Sequence, residues 1–193
     1  MKRRFVVGRL AERANAGYGE RELTSRAVSA ELFFAAWQER LRAEGLSLSL
    51  DAALSPSLWL RARGDRLAYL LTYYVGALTL SSHFGELSIS VGTVGEERIA
   101  VRISAPFLTG EVPLTMDAAG LLRLRAEAQR ELSEIAREHG AVVSFDRTRF
   151  DFTVSVSLAA YTELPSAVRE TAASLAATIA AAVSSAMREL RGR

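Results

Sequence analysis

The residues of this chain that could do chemistry are few and scattered. Its only two histidines, His83 and His139, each stand close to a glycine at the end of a predicted helix or in a loop, which indicates structural imidazoles. No His-x-x-x-His spacing occurs, so we predict no metal site. Asp146 and Asp151 flank a predicted hairpin turn, and we interpret them as turn residues rather than a catalytic pair. The serines form no G-x-S-x-G elbow, so the residues alone predict no catalytic centre.

Three tyrosines lie on one strongly apolar predicted helix, at Tyr69, Tyr73 and Tyr74. Such rings could stack on a small ligand. Aromatic residues at a spacing of four on a helix more often line a core or a groove, and we favour that interpretation.

Composition is that of a globular chain. The 193 residues are 49% hydrophobic and 24% charged, with a formal net charge of +2. The absence of cysteine excludes disulfides and thiolate chemistry. No apolar run reaches the ~20 residues of a membrane-spanning helix, so a cytoplasmic protein is expected. Basic residues cluster at the ends, where we interpret them as solvated groups: Lys2, Arg3, Arg4, Arg188, Arg191 and Arg193.

The hydrophobic pattern predicts helices and strands in a definite order. Helical periodicity covers residues 3–16, 31–44, 65–80, 116–139 and 165–190. Period-two alternation predicts strands over 47–50, 58–60, 86–92, 98–105, 141–145 and 150–158, the last four as two hairpins. Asp65 is the expected N-cap of the helix at 65–80. This order predicts an α+β fold, a two-layer sandwich with one mixed sheet and helices on one face, plus a long C-terminal helix.

Two short motifs carry a resemblance to a known family. Asp65-Arg66-Leu67 opens the helix that ends near a glycine and a strand, and Glu138-His139-Gly140 precedes a later strand. Together with the element order, residues 20–160 resemble the histidine-kinase-type ATPase domain, the GHKL or Bergerat fold. The resemblance implies three segments: an N-terminal helix at 1–19, a kinase-ATPase-like domain at 20–161 and a C-terminal helix at 162–193.

The resemblance also implies that the nucleotide site is degenerate. In the family, two helical asparagines hold magnesium and phosphates, and these positions fall on Tyr73 and Ala77. The aspartate that binds adenine falls on Ala105, just before Phe107, and the glycine-rich turn falls on the helix-forming residues 126–129. A methyl group is no ligand for a hard cation, so Tyr73, Ala77, Ala105 and Phe107 are expected to line a degenerate cleft that binds no cofactor. The pseudo-ATPase domain of histidine phosphotransferases is similar in this respect.

The last predicted helix carries an apolar stripe crowded with alanine and serine. Leu175, Ile179, Val183 and Leu190 follow a spacing of three and four, so the helix should pack on the chain's own first helix or on a second copy. We favour self-association through these four residues and a homodimer. Neither terminal helix contains a histidine, so the resemblance supplies no phosphoryl acceptor.

These observations favour a non-catalytic adaptor or regulatory protein of a bacterial signalling system. It would act by binding a protein such as a response regulator or a kinase, without a membrane and without nucleic acid. The alternative is a divergent histidine kinase or phosphotransferase that retains weak nucleotide binding, with Glu111 or Asp117 replacing the lost acid. A third hypothesis is nucleic-acid binding through the basic ends.

Overall fold

The structure is a computed structural model that describes residues 4–5, 26–46, 49–54, 57–95, 97–108, 117–162, 168–169 and 171–192. Its strands are β1 (Arg4–Phe5), β2 (Arg26–Ser29), β3 (Ser49–Ala53), β4 (Trp59–Arg61), β5 (Ser88–Thr93), β6 (Arg98–Pro106), β7 (Val142–Arg147), β8 (Asp151–Ala159) and β9 (Val168–Arg169). Its helices are α1 (Ala30–Ala43), α2 (Gly64–Thr79), α3 (Ala118–Leu121), α4 (Ala126–Glu138) and α5 (Ala172–Arg191).

The main sheet has six strands in the order β1-β7-β8-β6-β5-β3. The β3–β5 pair is parallel and the other pairs are antiparallel, so the sheet is mixed as predicted. The two predicted hairpins are present as β5–β6 and β7–β8. Alternation places one face of the sheet in the core. The alternating apolar residues of β5, β6 and β8 that form this face are buried: Ile89, Val91, Val101, Ile103, Phe152, Val154 and Val156.

A second, three-stranded sheet in the order β4-β2-β9 was not predicted. Its strand β9 is parallel to β2 and lies within the segment where the sequence predicts helix from Pro165 onward. That prediction is wrong at its start, because α5 begins only at Ala172. The hydroxyl of Thr171 caps α5 by accepting a hydrogen bond from the Ser174 amide at 3.3 Å.

The predicted helix over 116–139 is two helices rather than one. Arg123 has a φ of 50°, a left-handed conformation that ends α3, and the Leu124 amide donates back to the Ala119 carbonyl at 2.9 Å. The neighbouring leucines at 121 and 122 are both buried, at 1% and 2% exposure. The end of α3 therefore anchors two leucines in the core before the chain enters α4.

The N-terminal prediction of a helix over residues 3–16 is wrong at its start. Arg4–Phe5 is strand β1, which pairs antiparallel with β7 and forms an edge of the main sheet. Residues 6–16 lie outside the described part of the chain. A second correction concerns α2, whose N-cap is Arg63, so that Asp65 lies inside its first turn and forms an ion pair with Arg63 at 3.0 Å.

Helix α2 is the centre of the helical layer. Twelve of its sixteen residues are buried, so it is enclosed on all sides rather than on one face. The Trp37 indole of α1 donates to the Thr72 hydroxyl at 2.9 Å, and Tyr74 meets Phe145 of β7 edge to face at 5.9 Å. Helix α5 packs on both α1 and α2, so the C-terminal helix is part of the same core.

Candidate functional site

Tyr73 and Ala77 lie one turn apart on α2, where the resemblance places the residues that hold metal and phosphates. Tyr73 is fully buried, and Ala77 is 6% exposed. The Tyr73 hydroxyl donates to Oε1 of Glu189 on α5 at 3.4 Å. Helix α5 therefore covers Tyr73 and places a carboxylate beside it.

The contact between α2 and α5 depends on a glycine. A Cβ atom placed on Gly76 would lie 2.5 Å from Cδ1 of Leu190 and 3.0 Å from the Met187 sulfur. These distances are shorter than ordinary van der Waals contact. The absence of a side chain at Gly76 therefore lets α5 lie directly against α2, next to Tyr73 and Ala77.

A polar cluster surrounds Tyr69, one turn before Tyr73. The Tyr69 hydroxyl donates to Oε2 of Glu189 at 2.6 Å and lies 3.4 Å from Oε2 of Glu131 on α4. Burial, followed by the Glu189 and Glu131 carboxylates, raises the pKa of Tyr69 well above its usual value. Arg66 joins the same cluster through ion pairs to Glu131 at 3.6 Å and Glu138 at 3.3 Å. The cluster holds α2, α4 and α5 together.

Ala105 and Phe107 lie at the far end of β6, on the strand side of the predicted cleft. Ala105 is fully buried and pairs with Phe152 of β8. Phe107 is half-buried and stacks on Phe84, with ring centroids 5.3 Å apart. The Arg147 guanidinium lies over the ring of Phe107, 5.3 Å from its centroid. The position of the adenine-binding acid is thus occupied by packed apolar side chains.

An aromatic cluster, which the sequence did not predict, fills this end of the core. Its centroid separations run from 5.3 to 6.1 Å between successive rings. It consists of Tyr74, Phe145, Phe152, Phe84 and Phe107. The cluster spans 78 positions of the chain, from Tyr74 to Phe152. The pairing of β8 with both β6 and β7 places Phe152 beside Phe145 and the end of β6.

The structure divides the four predicted cleft residues into two closed sets. Tyr73 and Ala77 are covered from the side of α5, whereas Ala105 and Phe107 belong to the aromatic cluster. Of the two acids offered as replacements, Asp117 caps α3 by accepting from the Gly120 amide at 2.7 Å, and Glu111 lies outside the described residues. Within the described ranges, no group of three or more His, Asp or Glu side chains is arranged to hold a metal ion.

The residues predicted for self-association are buried inside the single chain, which corrects that assignment. Leu175, Ile179, Val183 and Leu190 are 1%, 0%, 0% and 7% exposed. Polar contacts fix the same helix, because the Ser184 hydroxyl of α5 donates to Glu44 at 3.0 Å and Arg191 pairs with Glu44 at 3.3 Å. The stripe therefore packs on α1 and α2 of its own chain, whereas the sequence had offered the helix predicted over residues 3–16 or a second copy as its partner.

His139 has a structural role, as predicted, although it is buried rather than partly exposed. Its Nδ1 lies 2.8 Å from the Ile135 carbonyl, and its Nε2 accepts from the Arg63 amide at 3.1 Å. These two bonds assign the proton to Nδ1 and join the end of α4 to the start of α2. The Glu138-His139-Gly140 motif, which carries part of the resemblance, therefore connects two helices through hydrogen bonds of His139.

The residue that sequence reasoning missed is Glu189. Its hydrogen-bond partners Tyr69 and Tyr73 precede it by 120 and 116 residues, and no local pattern connects a helix end to a helix so far away. The sequence did contain one indication of this contact, because the spacing of four between Tyr69 and Tyr73 predicted that both rings line a core or a groove. None of the helices in the described part of the chain is both long enough and apolar enough to cross a membrane.

No model of a protein family and no curated protein matches the sequence. Among solved structures, the chain is similar to the mycobacterial sensor histidine kinase MprB, with 10% identity over 70% of this chain and 97% of that chain and a TM-score of 0.46. It is similar to the Acinetobacter baumannii histidine kinase AdeS, with 17% identity, coverage of 78% and 72%, and a TM-score of 0.45. A histidine kinase from Burkholderia phymatum shows 12% identity, 71% coverage of each chain and a TM-score of 0.47.

Proposed function

We propose that this chain is a non-catalytic adaptor or regulatory protein, related in architecture to the kinase-type ATPase domain, that works by binding another protein in a bacterial signalling system. The partner class that the proposal favours is a response regulator or a kinase. Neither nucleotide nor metal takes part in this function.

The observation that carries the proposal is the contact between Tyr73 and Glu189. A nucleotide with magnesium needs oxygen or amide ligands and space for its phosphates. Here the phenol of Tyr73 is fully buried and bonded to a carboxylate of α5. Binding phosphates at this face would require removing α5 and exposing its buried apolar stripe, which costs about 1.5–3 kcal/mol for each large side chain.

The strand side supports the same proposal. The exocyclic amine of adenine needs a hydrogen-bond acceptor, and the residue in that position is Ala105, whose methyl group is fully buried. A buried donor without an acceptor loses about 1–3 kcal/mol. The two sides therefore disfavour nucleotide binding for independent reasons.

The test is calorimetric titration of the full chain with ATP in the presence and absence of magnesium. We expect no saturable heat at ATP concentrations up to about 1 mM, which corresponds to a binding free energy weaker than about −4 kcal/mol. An active histidine kinase domain titrated in the same buffer is the positive control. Micromolar, magnesium-dependent binding would overturn the proposal and favour a divergent kinase or phosphotransferase.

A second arm of the experiment tests the reason for the result. The variant Ala105→Asp restores the acid of the family on the strand side, while α5 still covers Tyr73. Because Ala105 is fully buried, a thermal melt first establishes that the variant with the added carboxyl is folded. We expect the folded variant to remain unable to bind ATP, because the phosphate side stays closed. ATP binding by Ala105→Asp would show that α5 does not close the site.

A further inference from the structure

One of the two histidines of the chain is buried between two helices. His139 is 8% exposed and forms the C-cap of α4, beside the start of α2. Its Nδ1 donates to the Ile135 carbonyl at 2.8 Å, and its Nε2 accepts from the Arg63 amide at 3.1 Å. Both ring nitrogens are therefore used, and Nε2 keeps its bond only while it carries no proton. The other histidine, His83, is partly exposed, and its ring makes no hydrogen bond within the described part of the chain.

The backbone is fixed on both sides of this contact. After His139, Gly140 has a φ of 57°, the left-handed conformation that commonly ends a helix. Before Arg63, the Ala62 amide donates to the Arg26 carbonyl at 3.2 Å, which ties the start of α2 to β2. The Arg63 amide therefore stays opposite Nε2 when the charge of the ring changes.

The charged groups around the contact do not favour a positively charged ring. Asp65 is paired with Arg63 at 3.0 Å, and Glu138 is paired with Arg66 at 3.3 Å, so both nearby carboxylates already have a cation. The negative end of the α4 dipole is met by the bond from Nδ1 to Ile135, which the neutral ring makes as well. A proton on Nε2 would therefore place two N–H donors against each other. The other charged residues within two positions of this contact are exposed cations: Arg61 and Arg137.

We propose that His139 is a pH-sensitive switch between α2 and α4, which joins the two helices while its ring is neutral and releases them when Nε2 takes up a proton. The folded chain requires the neutral ring, whereas an unfolded chain takes up the proton at the usual pKa of histidine, about 6.5. Stability from the contact is therefore complete above about pH 7.5 and falls as the pH falls. The inference goes beyond the proposed function, because it concerns how acid changes the helical layer and not which partner binds.

The first test is urea denaturation of the full chain at about pH 8 and about pH 5.5, on either side of the usual titration of histidine and above that of carboxyl groups. One pH unit below the usual pKa of histidine, we expect about a tenfold loss in the folded-to-unfolded ratio, or roughly 0.5–1 M in the urea midpoint. The wild type should lose this amount more than His139→Gln, whose amide oxygen can accept from Arg63 but does not titrate. The matched control is His83→Gln, which should keep the wild-type loss.

The second test removes the other partner of the same contact. Arg63→Pro deletes the amide hydrogen that faces Nε2, and the φ of Arg63, −85°, lies near the range that proline adopts. We expect the extra loss of stability in acid to disappear in this variant. The matched control is Arg63→Ala, which loses the ion pair with Asp65 but keeps the amide, so it should keep the wild-type loss. Urea midpoints at the same two pH values measure both variants.

The proposal is overturned if the wild type and His139→Gln lose equal stability in acid, or if Arg63→Pro loses as much as Arg63→Ala. It is also overturned if a long-range proton–nitrogen NMR spectrum at about pH 8 shows the His139 proton on Nε2, because that nitrogen could not accept from Arg63. The NMR measurement uses the wild-type chain, so it decides the tautomer even where a substitution prevents folding. None of these results affects the ATP titration, so failure of the switch is distinguishable from failure of the proposed function.

Discussion

At the residue scale, Glu189 determines what the face of α2 around Tyr73 can bind. Its carboxylate accepts hydrogen bonds from both Tyr69 and Tyr73. The Tyr69 hydroxyl also contacts Glu131, so the two carboxylates share one phenol. A carboxylate at 4 Å from a phosphate oxygen would repel it by about 1–4 kcal/mol for each pair of unit charges, depending on the effective dielectric constant. The polar cluster therefore disfavours anions while it stabilises the contact of α2 with α5.

The hydrogen bond from Tyr69 to Glu189 gives the first prediction. We expect Tyr69→Phe to lower the free energy of unfolding by about 0.5–1.5 kcal/mol, because the exposed Glu189 carboxylate loses its hydrogen bond from the phenol. Urea denaturation measures the change. The control is Tyr161→Phe, since Tyr161 is 37% exposed and its hydrogen bonds to Trp59 are made by backbone atoms. An equal loss in both variants would contradict the assigned role of the bond.

Tyr74 gives a prediction about pH. Burial of its hydroxyl raises the pKa of Tyr74 well above its usual value. The folded chain therefore keeps the phenolic proton at a pH where the unfolded chain, with a tyrosine pKa of about 10, has lost it. Stability from this group is complete below about pH 10 and falls as the pH rises further.

We therefore expect the wild type to lose stability steeply above about pH 10 and Tyr74→Phe to lose less, because phenylalanine has no proton to release. Urea midpoints at about pH 8 and about pH 11 measure the difference. The difference between the two urea midpoints at the lower pH serves as the reference for the difference at the higher pH. Parallel losses of stability in both proteins above pH 10 would show that burial of Tyr74 is not a cause.

At the element scale, the close approach of α5 to α2 is the decisive contact. It lets a helix at the C-terminus close the face of a helix in the middle of the chain. Gly76 makes this possible, although glycine is a poor helix former by about 1 kcal/mol relative to alanine. The packing of Met187 and Leu190 against the glycine outweighs that loss.

Whether Gly76→Ala raises or lowers the free energy of unfolding depends on the side chain at position 190. In the wild-type background, we expect Gly76→Ala to lower the free energy of unfolding by about 1–2 kcal/mol, because the new Cβ overlaps Leu190. In a Leu190→Ala background, the same change should be neutral or stabilising by up to about 1 kcal/mol. A double-mutant cycle in urea measures both steps. A change of the same size in both backgrounds would mean that the two residues do not touch.

At the scale of the whole molecule, α5 is a component of the core and not an appendage. Its apolar stripe is buried within one chain, and Arg191 also donates to the backbone carbonyl of Glu44 at 3.0 Å, at the end of α1. Any account of self-association must therefore leave α5 in place.

This packing changes the expected effect of charges in the stripe. If the stripe joined two copies, Leu175→Glu with Ile179→Glu would leave a folded monomer. Because both side chains are at most 1% exposed in the single chain, we expect the double variant to unfold, with loss of its cooperative thermal transition. The matched control is Ala173→Glu with Ala177→Glu, the same spacing on the exposed face of α5. A folded, monomeric Leu175→Glu, Ile179→Glu variant would contradict this packing.

The sequence by itself determined the elements and their sidedness. The alternation in β5, β6 and β8 predicted which face is buried, because a strand places successive side chains on opposite faces. Periodicity predicted α1 and α2 to within a residue or so at each end. Boundaries failed at two places that the local pattern does not reveal. Strand β9 pairs with β2, which lies far away in the chain, and the left-handed conformation of Arg123 separates α3 from α4.

The candidate site shows the same division. Residue types at Tyr73, Ala77 and Ala105 indicated missing ligands, which is a property of single positions and needs no structure. Only the tertiary structure decided what surrounds these positions, because Glu189, Gly76 and the aromatic cluster contact them across separations in the chain that local patterns do not encode. For the C-terminal helix, the sequence determined an apolar stripe that must be covered. The tertiary structure decided that α1 and α2 cover it, since a contact within one chain avoids the entropy lost when two molecules associate.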